Sequence, residues 1–280
     1  MKLFRVMRWE FGKMVRSKQF LVMTVFIPVL LVVAALAFVL ATGTDGPADG
    51  GEPPPRFVLV IWLALLLFIG AFLSAIMTLY AVVKEKGSRV VELMLSSVSA
   101  MDLMGGKILG IGLAGLIQVI TWSAAIGFVA SRFIPISLGV FSAVHFVTYP
   151  LYFGLGYLFI ATLYATVGAG MKDVHSGGVQ GLVGMIPYSP MIFVAAIIQF
   201  PDVVWVRIAG LLPPFAPAIM MVRLAVTDVP WWEVLVSLSL LAISVVLLMR
   251  FAAKVFDVAM LMYGKSATLR EIWRWGVRSH

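Results

Sequence analysis

Long apolar runs, nearly free of charge, alternate with short charged segments along this 280-residue chain. The runs cover 20–41, 57–83, 108–130, 141–169, 179–199 and 232–249. A helix needs roughly 17–25 such residues to cross the hydrocarbon core, and all six runs reach that range. Strands of a membrane barrel are only about 9–11 residues long and alternate polar with apolar, which these runs do not. The pattern therefore predicts an all-α, polytopic membrane protein with six transmembrane helices in one domain over 1–280. A seventh apolar stretch, 208–222, is too short to cross unaided and contains Pro213, Pro214 and Pro217. It reads as a re-entrant external segment built from short helices, which a membrane tolerates where protein shelters the broken backbone.

The segments between the runs carry their own periodicity. Within residues 1–18, Leu3, Phe4, Met7, Phe11, Met14 and Val15 fall in one arc of about 120° on a helical wheel. Arg5, Arg8, Lys13 and Arg16, with Trp9, fill the remainder. This predicts an N-terminal amphipathic helix on the membrane surface; a simple topogenic anchor fits the same residues. The segment 84–107 is longer than a connection between neighbouring helices needs. Ser99 and Asp102 have the spacing of an N-cap with an acidic residue three positions on. Charges at 84, 85, 86, 89 and 92 surround Val90, Val91, Leu93, Met94 and Leu95. A docking surface for a soluble partner and a loop resting on lipid headgroups both suit that mixture. The tail, 254–280, contains the capping box Thr268 and Glu271 and a basic stripe of Arg270, Arg274 and Arg278.

Composition agrees with the spans and removes several chemistries. Hydrophobic residues are 62%, charged residues 12%, and mean hydropathy is +1.05, too little polar surface for a soluble domain. There is no Cys, hence no disulfide, thiolate metal site or cysteine nucleophile. The net charge of +8 reflects loop placement rather than nucleic acid. With the N-terminus inside, all but Arg56, Arg132, Arg207 and Arg223 of the 21 Lys and Arg fall on the cytoplasmic side. That distribution places both termini in the cytoplasm of a multi-pass inner-membrane protein. The 20–41 run exceeds the usual h-region of about 7–15 residues and is read as a retained span, followed by a short external loop at 42–56.

No catalytic constellation is present. Gly264-Lys265-Ser266 ends like a phosphate-binding loop, but Ala259 stands where the first Gly is required. His145 is alone in its span and reads as a packing or hydrogen-bonding residue. Asp173 and His175 mark a Gly-rich turn without a catalytic role. No Asp, Glu, Lys or Arg lies in the interior of any run, so an ion relay of the kind carriers use is not visible. Close Gly pairs such as Gly106 and Gly110 permit close helix approach, within one chain or between two. Gln118, Thr121, Ser123 and Thr162 either line a polar path or bond to neighbouring helices. The energy source is then expected in another subunit, and this chain is expected to hold no cofactor.

The run from Glu85 to Ser97, continuing to Gly106-Lys107, resembles the segment after the second span in permeases of type-2 ABC exporters, and looks closest to their sodium-efflux branch. Leu261-Met262-Tyr263-Gly264-Lys265 with the Arg- and Trp-rich helix after it resembles the end of that branch. The resemblance implies a permease subunit whose ATP and magnesium are bound by partner ATPase subunits. It implies a coupling helix carrying Glu85, Lys86, Gly87, Ser88, Arg89, Glu92, Leu93, Ser96 and Ser97 at that interface. It also implies that Arg5, Arg8, Trp9, Lys13 and Arg16 belong to a connecting helix beside the coupling helix, and that Pro213, Pro214 and Pro217 lie near an outer gate. A second permease copy or homologue would complete the path. The chain departs from the branch in having only 42–56 where a large extracellular domain is common, which leaves sodium, drugs, peptides and lipids as substrates. An autonomous carrier or channel is the rival expectation, and a membrane anchor for a cytoplasmic complex a second.

Overall fold

The computed structural model describes residues 2–42, 56–86, 98–133, 143–171, 185–260 and 267–277. Those residues are mostly helical, joined by short turns, with no strand among them. Helix α1 spans Lys2–Val15 and, after a tight turn at Arg16 and Ser17, the chain enters α2, Lys18–Thr42. The Ser17 hydroxyl accepts the Phe20 N–H at 3.2 Å, so the turn supplies the cap of α2. Next come α3, Arg56–Lys86, α4, Ala100–Phe133, and α5, Ala143–Gly170. The first four predicted runs fall on α2 to α5. Ser99 caps α4 by accepting the Asp102 N–H at 3.1 Å.

The fifth predicted run does not form one helix. Residues 179–184 lie outside the described residues, and from Met185 the chain is segmented. A 3-10 turn at Ile186–Tyr188 leads into α6, Ser189–Ile192, and α7, Val194–Gln199. Pro187 and Pro190 lack the N–H that a continuing helix requires, and Phe193 closes on Pro190 with an i to i−3 bond of 3.0 Å. Among the described residues, the fifth run is therefore not an unbroken membrane helix. Two more short helices follow, α8, Val204–Leu211, and α9, Ala216–Val226. Pro213 and Pro214 occupy the turn between them, and Pro217 sits in the first turn of α9, where a missing N–H costs nothing. The long α10, Trp231–Met260, and the short α11, Leu269–Val277, complete the described chain.

Among the described residues, four stretches are long and apolar enough to cross a membrane: Ala64–Lys86, Ala100–Ala125, Ala143–Gly170 and Trp231–Ala259. Of the third, 72% is buried inside the protein, against 22% of the last, so α5 is the central column and α10 a peripheral one. A helix that is apolar all round is expected in such a central place. It packs against α3 along most of its length and against α10 and α9 elsewhere. Tyr157 joins three helices at mid-height: its hydroxyl donates to the Ile108 carbonyl at 2.6 Å and lies 3.5 Å from Thr78 Oγ1. Gly112 on α4 faces that ring so closely that any side chain there would collide with it. Near the start of α5, the Tyr149 hydroxyl donates to the Met221 carbonyl, and His145 Nε2 lies 2.8 Å from the Leu224 carbonyl. Thr121 and Thr162 turn back to carbonyls of their own helices, Ile117 and Leu158. Gln118 Nε2 is buried and has no hydrogen-bond partner among the described residues.

Candidate functional site

Polar side chains gather at the two ends of α5. At the end carrying α1, glycine decides the packing. Gly106 and Gly110, one turn apart on α4, form a groove into which the α1 backbone settles. A Cβ on Gly106 would stand 2.8 Å from the Leu3 carbonyl, and one on Gly110 2.6 Å from the Met7 carbonyl. These glycines thus pack within the chain. Their groove turns Val6 and Glu10 inward, both buried, although Glu10 is the single acidic residue before Asp45.

A buried carboxylate is tolerated only with a partner. Lys107, on the next face of α4 and fully buried, donates to Glu10 Oε1 at 2.5 Å and to Glu85 Oε1 at 2.7 Å. Lys13 reaches Glu85 from the other side at 3.4 Å, with its own ammonium half exposed. Three elements meet in this cluster: α1, the last turn of α3 and the second turn of α4. The second and third of these bracket residues 87–97. Beside it, Lys86 donates to the Ala169 carbonyl at 2.6 Å and Ala267 N–H to the Gly170 carbonyl at 2.8 Å, satisfying orphan acceptors at the end of α5. Helix α11 docks at the same place. Thr268 and Glu271 make a reciprocal cap, and Ile272 packs onto Gly170.

The opposite end holds a second buried network. Arg223, on α9 and fully buried, donates through Nη1 to Glu233 at 2.8 Å and through Nη2 to Asp202 at 3.1 Å. Its Nε donates to the Pro201 carbonyl at 2.8 Å. Glu233, in the first turn of α10, also accepts from Arg207 of α8. Ser237, one turn further on, donates to the Gly210 carbonyl at 2.8 Å. The short helices α8 and α9 are thereby fastened to the start of α10. Pro217 presses on Gly156 of α5, where a Cβ would meet it at 2.7 Å.

Neither network offers a nucleophile with a base, and among the described residues no group of three or more His, Cys, Asp or Glu is placed to hold a metal ion. Both are joints between helices. Residues 52–254, which include all of the long core helices α3 to α5, match the family described as ABC-2 family transporter protein. The chain belongs to that family. Two curated relatives of the ABC-2 chain are an uncharacterized protein, MJ1024, from Methanocaldococcus jannaschii and another, YhaP, from Bacillus subtilis. The first is 29% identical over 78% of this chain and 52% of its own length. The second is 27% identical over 76% of this chain and 54% of its own length. The chain therefore spans about half the length of the curated relatives it matches. No solved structure matches it.

Of the residues singled out in the sequence of this ABC-2 chain, Glu85 and Lys86 have their charged ends directed at Lys107 and Ala169. Gly87, Ser88, Arg89, Glu92, Leu93, Ser96 and Ser97 lie outside the described residues, as do Asp173, His175 and Gly264 to Ser266. Arg5, Arg8, Trp9 and Lys13 are exposed on α1, and Arg16 is exposed in the turn that follows it. The buried pairing of Glu10 with Lys107 and of Arg223 with Glu233 escaped sequence reasoning. The local signal was a lone acid in a basic helix for Glu10 and a charge at the rim of an apolar run for Lys107 and Glu233. None of these signals names a partner 97 residues away.

Proposed function

We propose that this ABC-2 chain is the permease subunit of an ATP-driven exporter, and that ATPase subunits dock at the end that carries α1 and residues 85–97. The family match over 52–254 supports a membrane-domain role. The observation that carries the docking end is the Lys107 cluster, because it ties α1 to both helices bracketing 87–97. A push on that segment passes through Glu85 and Lys107 into α3, α4 and α1 together, rather than being lost in a loose loop. ATP and magnesium are held by the partner, this chain performs no hydrolysis, and two permease chains complete the path. The end carrying α1 and α11 faces the cytoplasm, and the Arg223 end faces outward with Pro213, Pro214 and Pro217 beside it. The exported substrate belongs to the range such permeases move, from sodium to drugs, peptides and lipids.

Gentle purification of the chain from its native membrane tests this reading. A nucleotide-binding subunit is expected in near-equal amount, with ATP hydrolysis absent from the chain alone. Recovery of the chain by itself, with nucleotide-independent flux after reconstitution, would overturn it in favour of an autonomous carrier or channel.

A further inference from the structure

Helix α1 has three faces, and one of them packs on α4. At about 100° per residue, Val6 and Glu10 face the groove of α4, while Phe4, Phe11 and Val15 form an apolar arc roughly 120° away. The third arc holds Arg5, Arg8, Trp9, Lys13 and Arg16, all exposed, around a shallow concavity floored by Gly12. Among the described residues no carboxylate pairs with Arg5, Arg8 or Arg16. Lys13 lies 4.6 Å from the centre of the Trp9 ring, and Trp9 itself is 52% exposed. Four cations over three turns repel one another, and the described residues supply these three guanidinium groups with no counter-charge.

The membrane side of this arc is set by its neighbour. Helix α2 starts two residues after Arg16, and its outward stripe of Leu21, Val22, Val25 and Phe26 starts five residues after it. Arg16 therefore stands where the outward apolar stripe of α2 gives out, and Phe4 is exposed on the adjoining arc of α1. We propose that this arc is a binding site for the phosphate groups of anionic phospholipids in the leaflet on which α1 lies. Guanidinium groups take phosphate oxygens in pairs, and a Trp ring beside them suits headgroup depth. An acidic protein surface would match the charge but not an exposed aromatic edge continuous with a lipid-facing helix. The groove of Gly106 and Gly110 holds the arc in place before any lipid arrives, so binding orders little of the protein. This site needs no ATPase subunit and stands apart from the export reading.

The test uses the full chain in phosphatidylcholine nanodiscs doped with spin-labelled phosphatidylglycerol or spin-labelled phosphatidylcholine. The motionally restricted fraction is expected to favour phosphatidylglycerol at low salt and to lose that preference near 1 M salt. The preference should fall roughly fivefold for each of Arg5→Gln, Arg8→Gln and Arg16→Gln. It should be kept in Arg270→Gln with Arg274→Gln on α11, and largely kept when the three arginines become lysine. Absence of preference in the unaltered chain would overturn the assignment. So would full preference in the triple glutamine variant, or a loss that tracks the α11 pair instead. Retention of lipid preference by the triple variant with loss of a co-purifying protein would give the arc to a protein partner.

Discussion

Lys107 illustrates how one side chain can hold three elements. Its ammonium is enclosed, and both of its acceptors come from other helices. Lys107→Met would leave the buried Glu10 with only the half-exposed Lys13, 3.9 Å away, a change that approaches the roughly 3–5 kcal/mol seen when a buried ion pair loses one partner. A clear drop in thermal midpoint, measured in detergent, is the expected outcome. Converting Glu10, Glu85 and Lys107 together to apolar residues of similar size should recover most of that stability. The triple variant separates holding from coupling: under the export reading it melts normally yet uncouples ATP hydrolysis from transport. Gly110→Ala acts by a different route. The added methyl meets the Met7 carbonyl and the Phe11 N–H, both backbone, so α1 must lift. Trypsin cleavage at Arg5, Arg8 and Lys13 should accelerate about tenfold or more, since access to those bonds is set by local opening.

At the scale of elements, the apolar runs were legible wherever one hydrophobic stretch became one helix, as for α2 to α5 and α10. The run at 179–199 misled because a count of charges is blind to Pro187 and Pro190, which cut the helix without adding any polarity. The caps at Ser99 and Thr268 were legible because their partners stand three residues away. Glu10 with Lys107, and Arg223 with Asp202 and Glu233, were not, because each pair is created by the packing of separate helices. The Arg223 network makes α8, α9 and the start of α10 one mechanical unit. Arg223→Met removes three donors at once and exposes Glu233 to burial with Arg207 alone. Hydrogen exchange over 204–226 should rise by an order of magnitude or more, while amides of α1 keep their protection.

For the whole molecule, the positive-inside distribution is what supports the proposed sidedness. The absence of Cys allows single reporters to be introduced without background. Val204→Cys, at a highly exposed position on α8, should react with an impermeant maleimide on intact cells. Arg8→Cys on α1 should react only after the membrane is opened. The reverse pattern would invert the proposed orientation and move the ATPase-facing end to the other side.

Helix α5 is anchored at Tyr149 by the Met221 carbonyl bond and at Ala169 by Lys86. Twenty residues of helix separate those anchors, a length of about 30 Å. That is close to the hydrocarbon thickness of an ordinary bilayer. Because both anchors are tied to other helices, the column has no freedom to slide or lengthen. A thicker membrane must then thin around α2 and α10, or the whole bundle must tilt, at a fraction of a kcal/mol per Å. Lipid chain length is thus a variable to which this protein is mechanically exposed: in a graded series of acyl chains, its stability should peak where the bilayer matches α5 and fall on either side.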